Sequence, residues 1–366
     1  MVLGFSGLIP VTFIGIASIM LLVYGAEVVV SKMEGVAKYY GISEVVIAVT
    51  IVSVGTSLPE IALHAVGSAE ILLSSGNIAK VILIDPIASI FGSHTEILAV
   101  MAEKGVINSE TASASAEVFR GTSGTVMGAS IGSDVVQETL VIGLVIISSA
   151  LLAKKKGFRF SRKFLIRDYA PMIGTTLITL ILALNWKGIF VFLSGGSLQL
   201  TGTLTRFDGL ILVSSFFAYM YYLYTTREEE LAEQGNLESS QRPVRDLSIG
   251  IVSMLAVVAS AEIFLRVVEV AVRQTGLSGS MIGVATVGIV SALPEMTTAI
   301  SGLRHGSEGV SLGTLVGSNV TNPLLAIGGG ALISSYAVPR PLILWDLPME
   351  TVLAGLPVVY LFTRKQ

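Results

Sequence analysis

Two stretches of the chain decide its fold, because they are copies of one another. GISEVVIAVTIVSVGTSLPE at residues 41–60 recurs as GLSGSMIGVATVGIVSALPE at residues 276–295. The two align without gaps, and eight of their 20 positions are identical, including the Leu-Pro-Glu with which each one ends. A shared apolar composition does not account for identities at Gly, Ser, Pro and Glu. The chain therefore contains an internal repeat.

A second pair of stretches extends the repeat at a shorter offset. GASIGSDVVQETLVIG at residues 128–143 aligns on GTLVGSNVTNPLLAIG at residues 313–328. Because the offset falls from 235 to 185 residues, the first copy carries about 50 extra residues, which we place near 72–122. The second copy is the shorter of the two and ends at Gln366.

The composition indicates a polytopic membrane protein of helical class. Hydrophobic residues make up 52% of the 366 positions and charged residues 13%, against about 25% charged residues in soluble domains. The mean hydropathy is +0.79. Nine apolar stretches are long enough to cross a bilayer as helices. They lie at 7–31, 43–71, 124–152, 166–186, 207–226, 246–272, 278–304, 309–333 and 346–363.

The spans divide into two copies of about five, of which the second lacks its last span. We predict a first transmembrane repeat at 1–226 with the insertion at 72–122, a linker at 227–245 and a second repeat at 246–366. An odd number of spans in the first copy inverts the second, as in many secondary transporters. Lys and Arg concentrate on one side when the N-terminus is placed outside, which makes the linker cytoplasmic.

Several function classes are excluded by composition and motifs. A net charge of −3 argues against nucleic acid as a partner, and the chain contains no cysteine for thiol chemistry. The phosphate-loop, dinucleotide and metalloprotease patterns are missing from the sequence. We therefore expect a transporter in the lipid bilayer, not an enzyme, with no cofactor and an ion gradient as its source of energy.

Each copy of the repeat places a proline and a glutamate in the middle of an apolar span. Proline breaks a helix and frees backbone carbonyls, which a membrane tolerates where they line a cavity. A carboxylate at mid-span costs about 2.5–3.5 kcal/mol, so Glu60 and Glu295 require a neutralising partner. That partner is either a cation, bound with neighbouring hydroxyls, or a buried arginine. Of the Lys and Arg residues, only Arg266 lies inside a predicted span away from its ends.

The third and eighth spans supply a second polar element. Ser133 and Gln137 lie four residues apart, as do Ser318 and Asn322, so each pair shares one helix face. The two pairs either face the same cavity or hydrogen-bond between helices. Asp134 and Glu138 have no acidic equivalents in the second copy and either add charge to the cavity or face water. His64, one turn after Glu60, either packs in the core or couples protons.

These residues resemble those of the cation/calcium exchanger superfamily, in particular the membrane region of sodium/calcium exchangers. The resemblance rests on GTSLPE at 55–60, LPE at 293–295, and the Gly-Ser pairs at 132–133 and 317–318. It implies antiport of Ca²⁺ against Na⁺ by alternating access, with H⁺ exchange for Ca²⁺ or another divalent cation as the alternative and a cation channel as a further one. It also implies an ion site made of Glu60, Glu295, Thr56, Ser57, Ser291, Ser133, Ser318, Gln137 and Asn322.

The chain departs from this resemblance at two places. Ala292 stands where the first copy has Ser57, so one hydroxyl ligand is lost. The 72–122 insertion is an outer lid, an interfacial helix or a disordered segment, and residues 105–123 are expected to be flexible because they are rich in Ser, Thr and Ala.

Overall fold

The fold is almost entirely helical. A computed structural model describes residues 8–40, 44–74, 94–152, 165–184, 194, 202–226, 240–273, 288–305 and 308–364. Its helices are α1 Leu8–Tyr40, α2 Glu44–Ile47, α3 Ser53–Thr56, α4 Leu58–Ser74, α5 His94–Glu103, α6 Ser109–Val136, α7 Ile142–Leu152, α8 Ala170–Ala183, α9 Arg206–Thr225, α10 Pro243–Arg273, α11 Gly288–Ser291, α12 Leu293–Arg304, α13 Glu308–Thr321, α14 Gly328–Ser334 and α15 Leu347–Arg364. Two short strands, β1 Gly202–Leu204 and β2 Tyr336–Val338, pair antiparallel.

Both copies of the Leu-Pro-Glu motif begin a helix after a break. The helix axis bends by 52° between the segment ending at Thr56 and α4. Ser57 occupies the break between α3 and α4, and Ala292 occupies the equivalent break between α11 and α12. Pro59 and Pro294 follow, and a proline is tolerated there because the first turn of a helix has no partner for its N–H. The break predicted from the proline is thus present in both copies.

Wider π-helical turns recur at matching places. Gln137–Val141 joins α6 to α7, and Asn322–Ile327 joins α13 to α14 at the same 185-residue offset as the sequence repeat. Further π-helical turns are Ala48–Val52, Leu165–Tyr169 and Leu342–Asp346. Such turns re-aim side chains inside long helices and are frequent at functional sites.

Helices α1 and α10 pack against each other along much of their lengths and run antiparallel. Gly25 of α1 lies against Val257 of α10, and Met33 of α1 lies against Gly250 of α10. A later position on α1 therefore contacts an earlier position on α10. At one end Lys32 forms an ion pair with Asp246 at 3.5 Å, and the Ser240 hydroxyl donates to the same carboxylate at 2.8 Å. The two helices therefore form one antiparallel unit.

The largest buried core lies around α4, α6, α9, α13 and α14. Phe119, Met127, Leu212 and Tyr336 are among its members. Helix α13 comes unusually close to the segment before the first break, since a Cβ on Gly317 would lie 2.6 Å from the Ser53 Cβ. The lack of a side chain on Gly317 thus allows the two helices to approach closely.

Within the described residues the predicted spans lie on helices, but the expectation for part of the insertion is wrong. Residues 105–123 are not a flexible stretch, because α6 begins at Ser109 and continues through the predicted third span. Three helices here are long and apolar enough to cross a bilayer by length and composition, and the bent pair at 48–74 makes a fourth. The count of nine spans, the domain limits and the inversion of the repeat stay predictions. Residues 227–239 of the linker and 75–93 of the insertion lie outside the described residues.

Candidate ion-binding site

All nine residues predicted to bind ions are buried. None of them exposes more than 9% of its surface, and Glu295, Ser57, Ser133, Ser318, Gln137 and Asn322 are completely enclosed. They come from the two helix breaks and from α6, α13 and the π-helical turns that follow them. Residues separated by more than 200 positions are thus brought into one polar region inside an apolar protein.

Glu60 and Glu295 lie in the first turns of α4 and α12, immediately after the two breaks. Their hydrogen bonds cross between the two copies. The Ser57 hydroxyl donates to Glu295 Oε1 at 3.4 Å. The Thr56 hydroxyl, which donates to the Ser53 carbonyl at 3.2 Å, lies near the same carboxylate, whereas Ser291 lies near Glu60. Each glutamate is therefore held by hydroxyls of the opposite copy, as expected for two facing half-sites.

A chain of polar side chains continues from Glu60 to α13. The Ser133 hydroxyl donates to Glu60 Oε1 at 3.2 Å, and Gln137 Nε2 donates to Ser133 Oγ at 3.2 Å. Gln137 Oε1 in turn accepts from Ser318 Oγ and from Asn319 Nδ2. Gln137 thus links the two Gly-Ser pairs, and the predicted shared face of Ser133 and Gln137 is present.

One oxygen of each glutamate has no protein partner among the described residues. Glu60 Oε2 and Glu295 Oε2 are buried and make no hydrogen bond there, which is costly for an anionic oxygen. The partners of both carboxylates are hydroxyls and not arginine, although the Arg266 side chain lies outside what the structure describes. The buried Arg167 is paired with its neighbour Asp168 at 2.8 Å. Two free anionic oxygens beside several hydroxyls are a donor set for a hard cation.

In the described part of the chain, three or more acidic or histidine side chains do not converge at metal-binding distance. A cation bound by this pair of glutamates would therefore have two carboxylate ligands and complete its shell with hydroxyl, amide, backbone or water oxygens. Hard cations such as Ca²⁺ accept such mixed oxygen shells.

A second group of polar residues, only partly foreseen from the sequence, lies beside this pair. Asn322 Nδ2 donates to Asp134 Oδ1 at 2.7 Å, so Asn322 lies against Asp134 and is not part of the Glu60 chain of hydrogen bonds. Thr176 donates to Glu350 Oε1 at 2.8 Å. Asp134, Glu138 and Glu350 are all buried, which rules out the alternative that Asp134 and Glu138 face water. The sequence signal for Glu350 was its place at the start of an apolar span.

His64 has the character of a packed core residue. Its Nδ1 lies 3.0 Å from the Tyr336 hydroxyl and its Nε2 lies 2.8 Å from Ser130 Oγ, so both ring nitrogens have neutral partners. Tyr336 also bonds Ser68, which ties α4 to β2. This arrangement favours the packing interpretation of His64 over proton coupling.

Comparison with known families identifies the class of protein to which this geometry belongs. The family model described as "Sodium/calcium exchanger protein" matches residues 10–94, 76–225 and 247–365, which together cover nearly the whole chain. The chain belongs to this family. It is therefore a membrane protein of the cation/calcium exchanger superfamily, as the resemblance of its motifs indicated.

Individual relatives are distant but match over most of their length. Inner membrane protein YrbG of Escherichia coli is 23% identical over 331 residues, covering 87% of this chain and 78% of the relative. The sodium/calcium exchanger MaX1 of Methanosarcina acetivorans is 22% identical, covering 93% of this chain and 88% of the relative. A solved structure of the sodium-calcium exchanger NCX_Mj, soaked with Na⁺ and Sr²⁺, superposes with a TM-score of 0.64 at 18% identity, covering 97% and 91% of the two chains. This family member therefore shares the fold of that exchanger.

Proposed function

We propose that the protein exchanges Ca²⁺ for Na⁺ across a membrane by alternating access, with Glu60 and Glu295 as the two carboxylates that bind Ca²⁺. The observation that carries the proposal is the pair of facing glutamates, each buried just after a helix break and each with one oxygen that has no partner among the described residues. Ser57, Thr56, Ser291 and Ser133 would supply neutral oxygens to Ca²⁺ or Na⁺. The distant relatives include one named sodium/calcium exchanger MaX1 and one named putative antiporter CaxA, which is consistent with this assignment.

Burial of the two carboxylates explains how exchange could be strictly coupled. Moving a bare charge into an apolar interior costs several kcal/mol per ion even after relaxation, so the empty site with both glutamates ionised should not become occluded. Ca²⁺ would neutralise the pair, and Na⁺ ions would do so in turn. A carrier that changes conformation only when neutralised exchanges ions without leaking them.

Exchange of Ca²⁺ for H⁺ is the second candidate, and it is favoured by one feature of the site. Ala292 lacks the hydroxyl that Ser57 supplies in the first copy, so the site has fewer neutral ligands for Na⁺. Protons need no such ligands, since they can neutralise Glu60 and Glu295 directly.

Uptake of radioactive Ca²⁺ into proteoliposomes distinguishes these candidates. Vesicles loaded with Na⁺, or buffered to an acidic interior, are diluted into neutral choline medium. We expect uptake that depends on the outward Na⁺ gradient. Uptake with the pH gradient alone would establish exchange for H⁺, and uptake with neither gradient would indicate a channel.

The assignment of the site is tested by single substitutions. Glu60→Gln and Glu295→Gln keep the shape of the side chain but remove its charge, so each should abolish Ca²⁺ exchange. Glu70→Gln is the matched control, because Glu70 lies on the same helix as Glu60 but is exposed, and we expect it to retain wild-type uptake. Substantial exchange in both Glu60→Gln and Glu295→Gln would contradict the assignment.

The proposed topology places the N-terminus outside and residues 227–245 in the cytoplasm. Because the protein contains no cysteine, a single Glu229→Cys substitution gives labelling without background. We expect this thiol to react with an impermeant maleimide in inside-out vesicles or permeabilised cells, where the cytoplasmic side is accessible. In intact cells it should not react.

A further inference from the structure

A network of polar side chains joins strand β2 of the second copy to α4, the helix of the first copy that carries Glu60. Tyr336 of β2 is completely buried, and its hydroxyl lies 3.0 Å from His64 Nδ1 and 2.7 Å from Ser68 Oγ. The same hydroxyl donates to the His64 carbonyl at 3.1 Å. One side chain of the second copy thus contacts two successive turns of α4.

His64 extends this network from α4 to α6. Its Nε2 lies 2.8 Å from Ser130 Oγ. Ser130 precedes Ser133 by three residues, and the Ser133 hydroxyl donates to Glu60 at 3.2 Å. Because His64 follows Glu60 by four residues, the two contacts lie one helical turn apart on the same pair of helices. A rotation of α4 on α6 that breaks the first contact would therefore also move Glu60 away from Ser133.

Beyond His64, α4 and α6 stay packed against each other. A Cβ on Gly67 would lie 2.7 Å from Val126 Cγ1, and the Ser115 hydroxyl donates to the Ser74 carbonyl at 2.7 Å. Later positions on α4 contact earlier positions on α6, so the two helices run antiparallel. The contact made by His64 therefore lies between this packed end of the helix pair and the turn that carries the ion-site glutamate.

The backbone before Tyr336 has a conformation that depends on its surroundings. Ser335 has φ 61° and ψ 166°, a region that residues other than glycine rarely adopt. Such a conformation persists only where neighbouring contacts fix it, and it is found mainly at functional sites. Here β2 pairs with β1, and the Ala337 N–H donates to Ser123 Oγ on α6 at 3.1 Å. A Cβ on Gly330 would collide with the Tyr336 hydroxyl, so this glycine makes room for the ring.

We propose that Tyr336 and His64 are positioning residues for Glu60. Tyr336 fixes the imidazole of His64 against Ser130. This contact holds the first turn of α4 at the rotation in which Ser133 reaches the Glu60 carboxylate. A ligand site requires such support, because small displacements of a ligand weaken binding. The inference rests on the proposed role of Glu60 in binding Ca²⁺, and it assigns the contact between the two copies a part in that site.

The Ca²⁺ dependence of exchange in proteoliposomes separates positioning from a purely structural role. Tyr336→Phe and Ser130→Ala each remove one hydroxyl and leave the packed volume almost unchanged. Because Glu60 keeps its charge but loses its fixed orientation, the half-saturating Ca²⁺ concentration should rise at least about fivefold. Maximal uptake per folded protein should stay within about twofold of wild type. A loss of folded protein alone would instead lower maximal uptake and leave the half-saturating concentration unchanged.

Two buried hydroxyls provide matched controls. Tyr219 lies in the same hydrophobic core as Tyr336, and Ser311 is a buried serine of α13. Neither hydroxyl has a hydrogen-bond partner within the described residues, so Tyr219→Phe and Ser311→Ala should keep the wild-type Ca²⁺ dependence. His64→Gln is the conservative variant, because a glutamine amide can donate to the Ser130 hydroxyl in place of the imidazole. It should retain a lower half-saturating concentration than His64→Ala.

Hydrogen–deuterium exchange of the purified full-length protein in detergent tests the hold on α4 without transport. Loss of the Tyr336 hydroxyl should make local opening of α4 easier, so amides in peptides covering residues 58–68 should exchange at least about fivefold faster in Tyr336→Phe. Tyr219→Phe should leave their exchange unchanged. If Tyr336→Phe fails to fold, Ser130→Ala decides, because it removes the contact at the other end of the imidazole.

The positioning role is overturned if Tyr336→Phe and Ser130→Ala keep the wild-type half-saturating Ca²⁺ concentration, whatever the exchange of α4. It is also overturned if Tyr219→Phe and Ser311→Ala raise that concentration to the same extent. A wild-type protein that transports no Ca²⁺ would contradict the proposed function. The exchange of α4 in Tyr336→Phe and Tyr219→Phe would then still decide whether Tyr336 holds this helix.

Discussion

Ala292 is the residue at which the two half-sites differ most plainly. It occupies the helix break equivalent to that of Ser57, and it is buried beside Ser291 and Glu295. We expect Ala292→Ser to restore a hydroxyl ligand for Na⁺. Because one contact as strong as a hydrogen bond contributes about 0.5–1.5 kcal/mol, the Na⁺ concentration that half-activates Ca²⁺ uptake should fall by about two- to tenfold. Proteoliposome uptake at graded internal Na⁺ measures this shift.

Ser57→Ala makes the opposite change at the equivalent position of the first copy. It removes the hydroxyl that donates to Glu295, so the half-activating Na⁺ concentration should rise. Equal Na⁺ dependence in wild type, Ala292→Ser and Ser57→Ala would show that hydroxyls at the breaks do not bind Na⁺, and would favour H⁺ as the counter-ion.

Single residues of the site could be predicted where the signal is local. Glu60 and Glu295 follow from a mid-span proline and carboxylate, and the bond of Gln137 to Ser133 follows from a four-residue spacing. The contact of Asn322 with Asp134 joins residues 188 positions apart, and its existence depends on how α6 and α13 face each other. Spacing along one helix contains no information about that rotation, which is why the contact of Asn322 with Asp134 was not predicted.

At the scale of elements, the approach of α13 to the first broken helix depends on Gly317. A Cβ at this position would lie 2.6 Å from the Ser53 Cβ and 2.8 Å from the Val49 Cα, and backbone atoms cannot move aside as a flexible side chain can. We therefore expect Gly317→Ala to separate the two helices and to cost about 1–3 kcal/mol of stability, as overpacking typically does. A lower thermal unfolding midpoint in detergent would report this loss.

Gly329 provides the control for Gly317→Ala within the following helix. A Cβ there meets no atom within 4 Å among the described residues, so Gly329→Ala should keep or raise the midpoint, because alanine stabilises a helix by about 1 kcal/mol relative to glycine. Equal midpoints for the two variants would contradict the close packing of α13 on the first broken helix.

Helices were predicted well where apolar residues and prolines set their limits, and poorly where composition is neutral. Residues 105–123 contain few large apolar side chains, so their sequence favoured a flexible segment. The structure instead continues α6 back to Ser109, with an N-cap from Asn108 and with Phe119 buried in the main core. Packing against α4 and α5 supplies the stabilisation that intrinsic helix propensity does not.

At the scale of the whole molecule, two ion pairs differ in the helices that they join. One lies within the antiparallel unit of α1 and α10, and the other connects this unit to the rest of the protein. Lys32 and Asp246 join the two helices of the unit at 3.5 Å, whereas Glu27 on α1 and Arg304 on α12 join the unit to the helix that carries Glu295, at 3.2 Å. Alternating access by sliding of this unit past the ion site would keep the first contact and break the second. Both side chains of the second pair are partly exposed, so breaking it costs little.

Cross-linking of cysteine pairs tests this motion directly, because the natural chain has no cysteine of its own. A short bifunctional thiol reagent across Glu27→Cys/Arg304→Cys ties α1 to α12, and we expect it to abolish most Ca²⁺ uptake. The same reagent across Lys32→Cys/Asp246→Cys stays within the unit and should leave most of the uptake. Uptake of the two double variants before cross-linking provides the reference for each. If cross-linking inhibits both pairs equally, α1 and α10 also move relative to each other. If the cross-linked Glu27→Cys/Arg304→Cys protein is fully active, α1 stays fixed to the ion site while transport proceeds.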